Sequence, residues 1–209
     1  MMKSIAMYLA GSIKKGHEKS DDFYWTEEDM ALLSKNLDPH PVSFLNPAFR
    51  TDDLSDTFSV FGRDMLQVFS SNLIFVDARD RRGLGVGAEM MWAKVNKIPV
   101  VTWAPRNSHY RKDQTTLLGV PVTHFVHPFV ASLSDVIVSD LVEGAQWIRG
   151  LLANPFIKIK GIEEITLAMQ HYKDLQLPND RPMHDLLKSC EELHKRAYRA
   201  HPQVVLSSN

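Results

Sequence analysis

The sequence predicts an α/β fold, a parallel sheet covered on both faces by helices. Three observations predict it. Short apolar runs alternate with amphipathic stretches as far as residue 152. The runs are four to six residues long and end in Gly-Ser, Asn-Pro or charged residues, as buried strands do. The 209 residues are 44% hydrophobic and 23% charged, enough chain and enough apolar surface for a real core.

Taken in order, Ile5 to Ala10 is the first strand, closed by Gly11-Ser12. Thr26-Glu27-Glu28-Asp29 opens a helix that runs to about Lys35, and Asp38-Pro39-His40-Pro41 ends it. Val42 to Leu45 is the second strand, closed by Asn46-Pro47. Residues 52 to 71 form a helix with Phe58, Phe61, Met65, Val68 and Phe69 near helical spacing, expected to pack by that apolar face. Leu73 to Val76 is the third strand, Gly87 to Asn96 the next helix, and Pro99 to Trp103 the fourth strand. Val122 to Val126 is the expected fifth strand. Ile137, Leu141, Ala145, Ile148 and Leu152 mark an amphipathic helix. Asn154-Pro155 ends this pattern, so residues 1–153 make one domain and 154–209 a helical extension. The extension carries helices near 161–176 and 183–199, the second with Leu186, Leu187, Cys190, Leu193 and Ala197 on one face.

Bulk properties exclude several classes. A net charge of -1 gives no sign of nucleic-acid or anionic-membrane binding. No apolar run reaches the length of a membrane span. The start, MMKSIAMYLAG, reads as a strand and not as a signal peptide. Cys190 is the only cysteine, so no internal disulfide forms and a cytoplasmic location is expected. His124 and His127 have no Cys partner nearby and there is no H-E-x-x-H, so no metal is expected.

Ligands in doubly covered parallel sheets sit beyond the carboxyl ends of the strands. Attention therefore falls on the residues after Leu9, Val76 and Trp103. Gly83-Leu84-Gly85-Val86-Gly87-Ala88 formally fits G-x-G-x-x-A. It follows the third strand instead of the first, and no acidic residue ends PVVTWA, so no nicotinamide cofactor is expected. The glycines let a ligand approach the backbone and place Glu89 in the first turn of a helix, where the dipole favours its ionised form. Such a carboxylate is a nucleophile or a helix-start cap. After the first strand, Gly11, Ser12, Ile13 and Lys14 form a small, polar, basic loop that can hold a phosphate or simply face water. Asp64, in Gly62-Arg63-Asp64, is a site carboxylate or half of a surface pair. The Arg79–Arg82 cluster steers an anion or forms a solvated turn, and the turn is the plainer reading.

Taken together these pieces resemble one family. Tyr8-Leu9-Ala10-Gly11-Ser12-Ile13, then Arg63-Asp64-Met65, then Gly85-Val86-Gly87-Ala88-Glu89 occur in the order seen in nucleoside 2-deoxyribosyltransferases. The resemblance includes the hydrolytic branch, the 2'-deoxynucleoside 5'-monophosphate N-glycosidases, and covers roughly residues 3 to 152. It implies a flavodoxin-like, doubly wound, five-stranded parallel sheet and cleavage of an N-glycosidic bond. It implies Glu89 as the nucleophile, Asp64 as an assisting carboxylate and Tyr8 beside the nucleophile. Gly11, Ser12, Ile13, Lys14, Gly85 and Gly87 become substrate-binding residues, with Ser12 and Lys14 on the 5'-phosphate. It also implies a homodimer or higher homo-oligomer, a small nucleoside or nucleotide as substrate, and no cofactor. Gly83 departs from the pattern: the hydrolases carry a serine there and the transferases an aspartate.

The expected activity is hydrolysis through a covalent glycosyl ester on Glu89. The alternatives are base exchange between nucleosides, the same chemistry on a ribonucleotide or NAD, and a non-catalytic nucleotide-binding module.

Overall fold

The structure, a computed structural model, describes residues 4–13, 24–154 and 156–199. In chain order the elements of the first compact unit, residues 1–161, begin with β1 (Ile5–Ala10), α1 (Glu27–Leu37), β2 (Val42–Leu45) and α2 (Thr57–Phe69). β3 (Leu73–Asp77), α3 (Leu84–Val95) and β4 (Val100–Trp103) follow. β5 (Arg111–Leu117), β6 (Val120–Val126), α4 (Pro128–Leu133), β7 (Val136–Val138) and α5 (Leu141–Ala153) complete it. Five strands form one parallel sheet in the order β2-β1-β3-β4-β7. This is the flavodoxin-like, doubly wound order, whose switch point lies between β1 and β3.

Strand periodicity decides which residues face which helices. Ile5, Met7, Leu9, Leu73 and Phe75 pack with α1 and α5. Tyr8, Ala10, Ile74 and Val76 pack on the other face, with Val68 of α2, Val86, Met90 and Ala93 of α3, and Leu133 of α4. On the first face α5 lies so close that a Cβ added at Gly144 would run into the Phe75 ring, 2.8 Å from Cε2. Gly144→Ala is therefore expected to lose about 2 kcal/mol, although alanine is the better helix former by about 1 kcal/mol. Urea denaturation checks this; a stabilised variant would mean that the ring yields.

Three expectations about the elements of this unit need correction. Val122–Val126 does form a strand, but not the fifth of the parallel sheet. Leu118 and Gly119 both take positive φ, 49° and 84°, which folds the chain into a two-residue hairpin and pairs β6 antiparallel with β5. The fifth place goes to Val136–Val138, three residues around Ile137 that the sequence reading placed at the start of a helix. The second correction concerns α3. It begins at Leu84, with Gly83 as its extended N-cap, so Glu89 lies in the second turn and the helix dipole acts on it only weakly. The third concerns α2, which begins at Thr57 behind an Asp56 cap. Its apolar face is turned outward: Phe58, Phe61, Leu66 and Phe69 are exposed, while Asp64 and Val68 face in.

A buried ion pair ties down the far end of α3. Lys94 Nζ lies 2.5 Å from Asp135 Oδ2. Asp135 also accepts from the backbone N–H of Val100 and of Lys160. The helix that carries Glu89 is thus fixed to the sheet at β4 and at the turn before β7.

The second compact unit, residues 162–209, contains α6 (Glu163–Leu175), α7 (Arg181–Ser189) and α8 (Glu191–Tyr198). The single helix expected over 183–199 breaks at Cys190, whose extended backbone caps α8. Asp180 caps α7 through Met183 N and accepts from the Tyr172 hydroxyl, 2.5 Å away. Among the described residues no helix is long and apolar enough to cross a membrane. None of their His, Cys, Asp and Glu side chains form a group that could hold a metal ion.

Candidate functional site

Tyr8 stands in the middle of β1 and is completely buried, paired in register with Leu45 and Ile74. Its side chain points to the face covered by α2 and α3. There its hydroxyl donates to Glu89 Oε1 at 2.9 Å. Glu89 is 8% exposed. Its second oxygen, Oε2, is buried and has no hydrogen-bond partner among the described residues.

Burial sets the charge state. Desolvation raises the Glu89 carboxyl to about 7, the Tyr8 hydrogen bond pulls it back, and the negative charge of Asp64 pushes it up again. Burial likewise pushes the Tyr8 phenol far above its ordinary range, helped by the charge of Glu89 and the hydrogen bond to it. Tyr8 therefore remains a donor at any working pH.

Asp64 enters from α2 between two guanidinium groups. Arg50 Nη1 lies 3.5 Å and Arg63 Nη1 3.4 Å from its Oδ1. Burial raises its carboxyl, and the two arginines oppose that shift. The loop after β2 supplies the frame. Arg50 grips Asp52 with two nitrogens, which holds the Asp52 carboxyl down at about 2. Arg63 Nη2 donates to the Phe49 carbonyl at 2.7 Å. Arg63 stood in a quoted motif. Arg50 escaped the sequence reading, although it lies just past the carboxyl end of β2, where ligands of such folds are found.

The loop after β1 meets a different set. Gly11 must be small: a Cβ there would come within 3.1 Å of Trp25 Nε1, which donates to the Ala10 carbonyl. Ser12 Oγ accepts from Arg82 Nη1 at 2.8 Å. Arg82 is no solvated turn residue. Its side chain is 5% exposed, its Nη2 lies 2.8 Å from Asp77 Oδ2, and its Nε donates to the Asp77 carbonyl. Arg79 pairs with the same fully buried Asp77 and lies over the Trp103 ring. Because an Arg82 N–H occupies a lone pair of Ser12, the serine proton is directed elsewhere, as a donor. Ile13 follows, half-buried. Lys14 lies outside the described residues.

The two glycines of α3 part company. Gly85 is exposed on the Glu89 side, where an added Cβ would lie 3.8 Å from Oε1. Gly87 is on the opposite side of the helix. It lines a mostly apolar cavity of about 320 Å³ with Arg82, Val86, Met90, Tyr110, His127 and Phe129. The structure thus brings Tyr8, Asp64 and Glu89 together between β1, α2 and α3, with Gly85 beside Glu89, places Gly11 and Ser12 at the switch point, and puts Gly87 on the other side of α3.

No protein-family model matches the chain, and a search of curated proteins finds no significant relative. Among solved structures, the chain is similar to a 2-deoxyribosyltransferase from the psychrotolerant bacterium Bacillus psychrosaccharolyticus. The identity is 12% and the TM-score 0.48, over 75% of this chain and 98% of that one.

Proposed function

We propose that the protein cleaves the N-glycosidic bond of 2'-deoxynucleoside 5'-monophosphates, with Glu89 as the nucleophile and water as the final acceptor, acting in the cytoplasm. One observation carries the reading. A buried carboxylate has one oxygen fixed by Tyr8 and the other free and desolvated. In the first step Glu89 Oε2 bonds to the anomeric carbon. The carbon–nitrogen bond breaks, and its electron pair leaves with the base, which takes up a proton from the solvent. The sugar passes through oxocarbenium character, which the neighbouring carboxylates Glu89 and Asp64 stabilise. In the second step water bonds to the anomeric carbon and gives up a proton to the solvent, the ester bond breaks, and Glu89 is released as carboxylate. Asp64, fixed between Arg50 and Arg63, orients the sugar and the departing base.

The preference for a monophosphate rests on Ser12. Its hydroxyl is oriented as a donor by Arg82, beside the backbone N–H groups of the turn after β1. Arg82 stands next to Gly83, which brings no side chain of its own. Base exchange between nucleosides shares the first step and differs only in the acceptor.

Chromatography of product mixtures tests the proposal. Each deoxynucleoside and each deoxynucleoside 5'-monophosphate is incubated with the protein, with and without a free base. Free base released from the monophosphates alone is the expected result. Exchanged nucleoside appearing only with added base would assign the chain to transfer, and no release from any substrate would overturn the proposal.

A further inference from the structure

The cavity lined by Gly87 takes one whole face of α3. Gly83, Gly87, Met90 and Met91 line it, and each lies three or four residues from Gly87 or is Gly87 itself. Glu89, two residues past Gly87, projects about 200° further around the helix, toward Tyr8. The body of α3 therefore stands between the cavity and the Glu89 carboxylate. Val130 and Leu133 of α4 form the opposite wall. Leu84 and Phe129 also line the cavity and are exposed, which puts them at its mouth.

The size points to a small molecule. At about 320 Å³ the cavity is twice the ~150 Å³ that holds one benzene ring, so two fused rings fit. Its methionines and aromatic rings favour a flat, polarisable guest.

The polar groups of the wall sit together. The Tyr110 and His127 rings meet edge-on at 5.4 Å, and the backbone N–H of Arg82 donates to the Tyr110 hydroxyl at 2.9 Å. The Tyr110 proton itself meets no acceptor among the described residues. His127 Nδ1 is buried and likewise has no partner among them. A buried atom of this kind costs free energy while unpaired, and a ligand that pairs with it recovers that cost. Charge is already balanced. Arg82 and Arg79 face Asp77, and Arg79 also faces Asp29, so the four groups sum to zero. A charged guest would find no countercharge to offset its desolvation.

We propose that this cavity is a second binding site, for a neutral heteroaromatic molecule of two fused rings. The ring body packs among Val86, Met90 and Leu133, and the polar edge meets the Tyr110 hydroxyl and His127 Nδ1. The site does not depend on Glu89 being a nucleophile.

Calorimetric titration of the full chain with two probes tests it. Quinazolin-4-one carries a ring N–H beside a carbonyl; naphthalene has the same two-ring outline and no polar atom. Quinazolin-4-one is expected to bind one-to-one with a dissociation constant of about 0.1 mM. It should bind about tenfold more tightly than naphthalene and shift the ¹⁵N signals of the His127 ring. Gly87→Leu is expected to abolish binding of both probes with unchanged helix content, since a Cβ at Gly87 enters open space. His127→Phe should weaken quinazolin-4-one about tenfold and leave naphthalene as it was; it decides the matter should Gly87→Leu fail to fold. No binding to the native chain would overturn the proposal, as would equal affinity for the two probes or binding retained by a folded Gly87→Leu. Displacement of quinazolin-4-one by a 2'-deoxynucleoside 5'-monophosphate would overturn it too, because the cavity would then belong to the substrate.

Discussion

Glu89→Gln is expected to stabilise the folded protein by about 3 kcal/mol at about pH 8 and by almost nothing at about pH 4. The carboxyl titrates near its model value of 4.5 when unfolded and at about 7 when folded. Between those values the folded state binds more protons than the unfolded state, so stability falls as pH rises through that window. Below it both states are protonated, and above it both are ionised, with the penalty complete. Glutamine is close in shape, keeps an oxygen for the Tyr8 hydroxyl and carries no charge to desolvate. The difference in urea midpoint between variant and native protein should therefore open from about pH 4.5 and level off above about pH 7. A constant difference at every pH would show that the ionised carboxylate is not what strains the fold.

The same substitution is expected to lower turnover by about 10⁴-fold or more, because no other group can form the glycosyl ester. In the native protein kcat/KM should rise with pH and reach half its plateau near 7, where half of Glu89 becomes ionised. The two predictions have one cause. Burial destabilises the anion, the Tyr8 hydrogen bond offsets only part of that, and in the proposed reaction positive charge developing on the sugar relieves the rest. Rates for native protein and variant on one substrate across that pH range check both. Turnover retained by Glu89→Gln would remove Glu89 from the chemistry.

Local pattern carried much of the fold. β1 to β4 and the start of α1 behind Thr26 fall where short apolar runs and the opening Thr26-Glu27-Glu28-Asp29 place them. The failures lie where tertiary context decides. Val136–Val138 is too short to show a period, while the hairpin after β4 alternates well and mimics a sheet strand. The turn at Leu118-Gly119 carried the distinction in its single glycine. The start of α3 was misplaced because glycine runs read as loops, and the helix instead begins at Leu84.

The site shows the same division. Motif order singles out Tyr8, Asp64 and Glu89, and spacing alone does not show that they interact. Arg50, fourteen residues before Asp64, joins it only through the loop after β2. Arg82 looked like one cation of a solvated cluster, since nothing local reveals that Asp77 is completely buried and must be paired. The apolar stripe of α2 was read correctly as a stripe and placed on the wrong side. A sequence period gives a face but does not say whether the chain itself or something outside it provides the cover.

The stereochemistry of methanolysis tests the central claim most directly. With methanol as acceptor the sugar is captured as a methyl glycoside, whose anomeric configuration no longer equilibrates and can be read by proton NMR. Attack by Glu89 followed by attack of methanol inverts the anomeric carbon twice, so a β-nucleotide should yield the β-methyl glycoside. The α-methyl glycoside would mean a single direct displacement, and would contradict a covalent ester on Glu89.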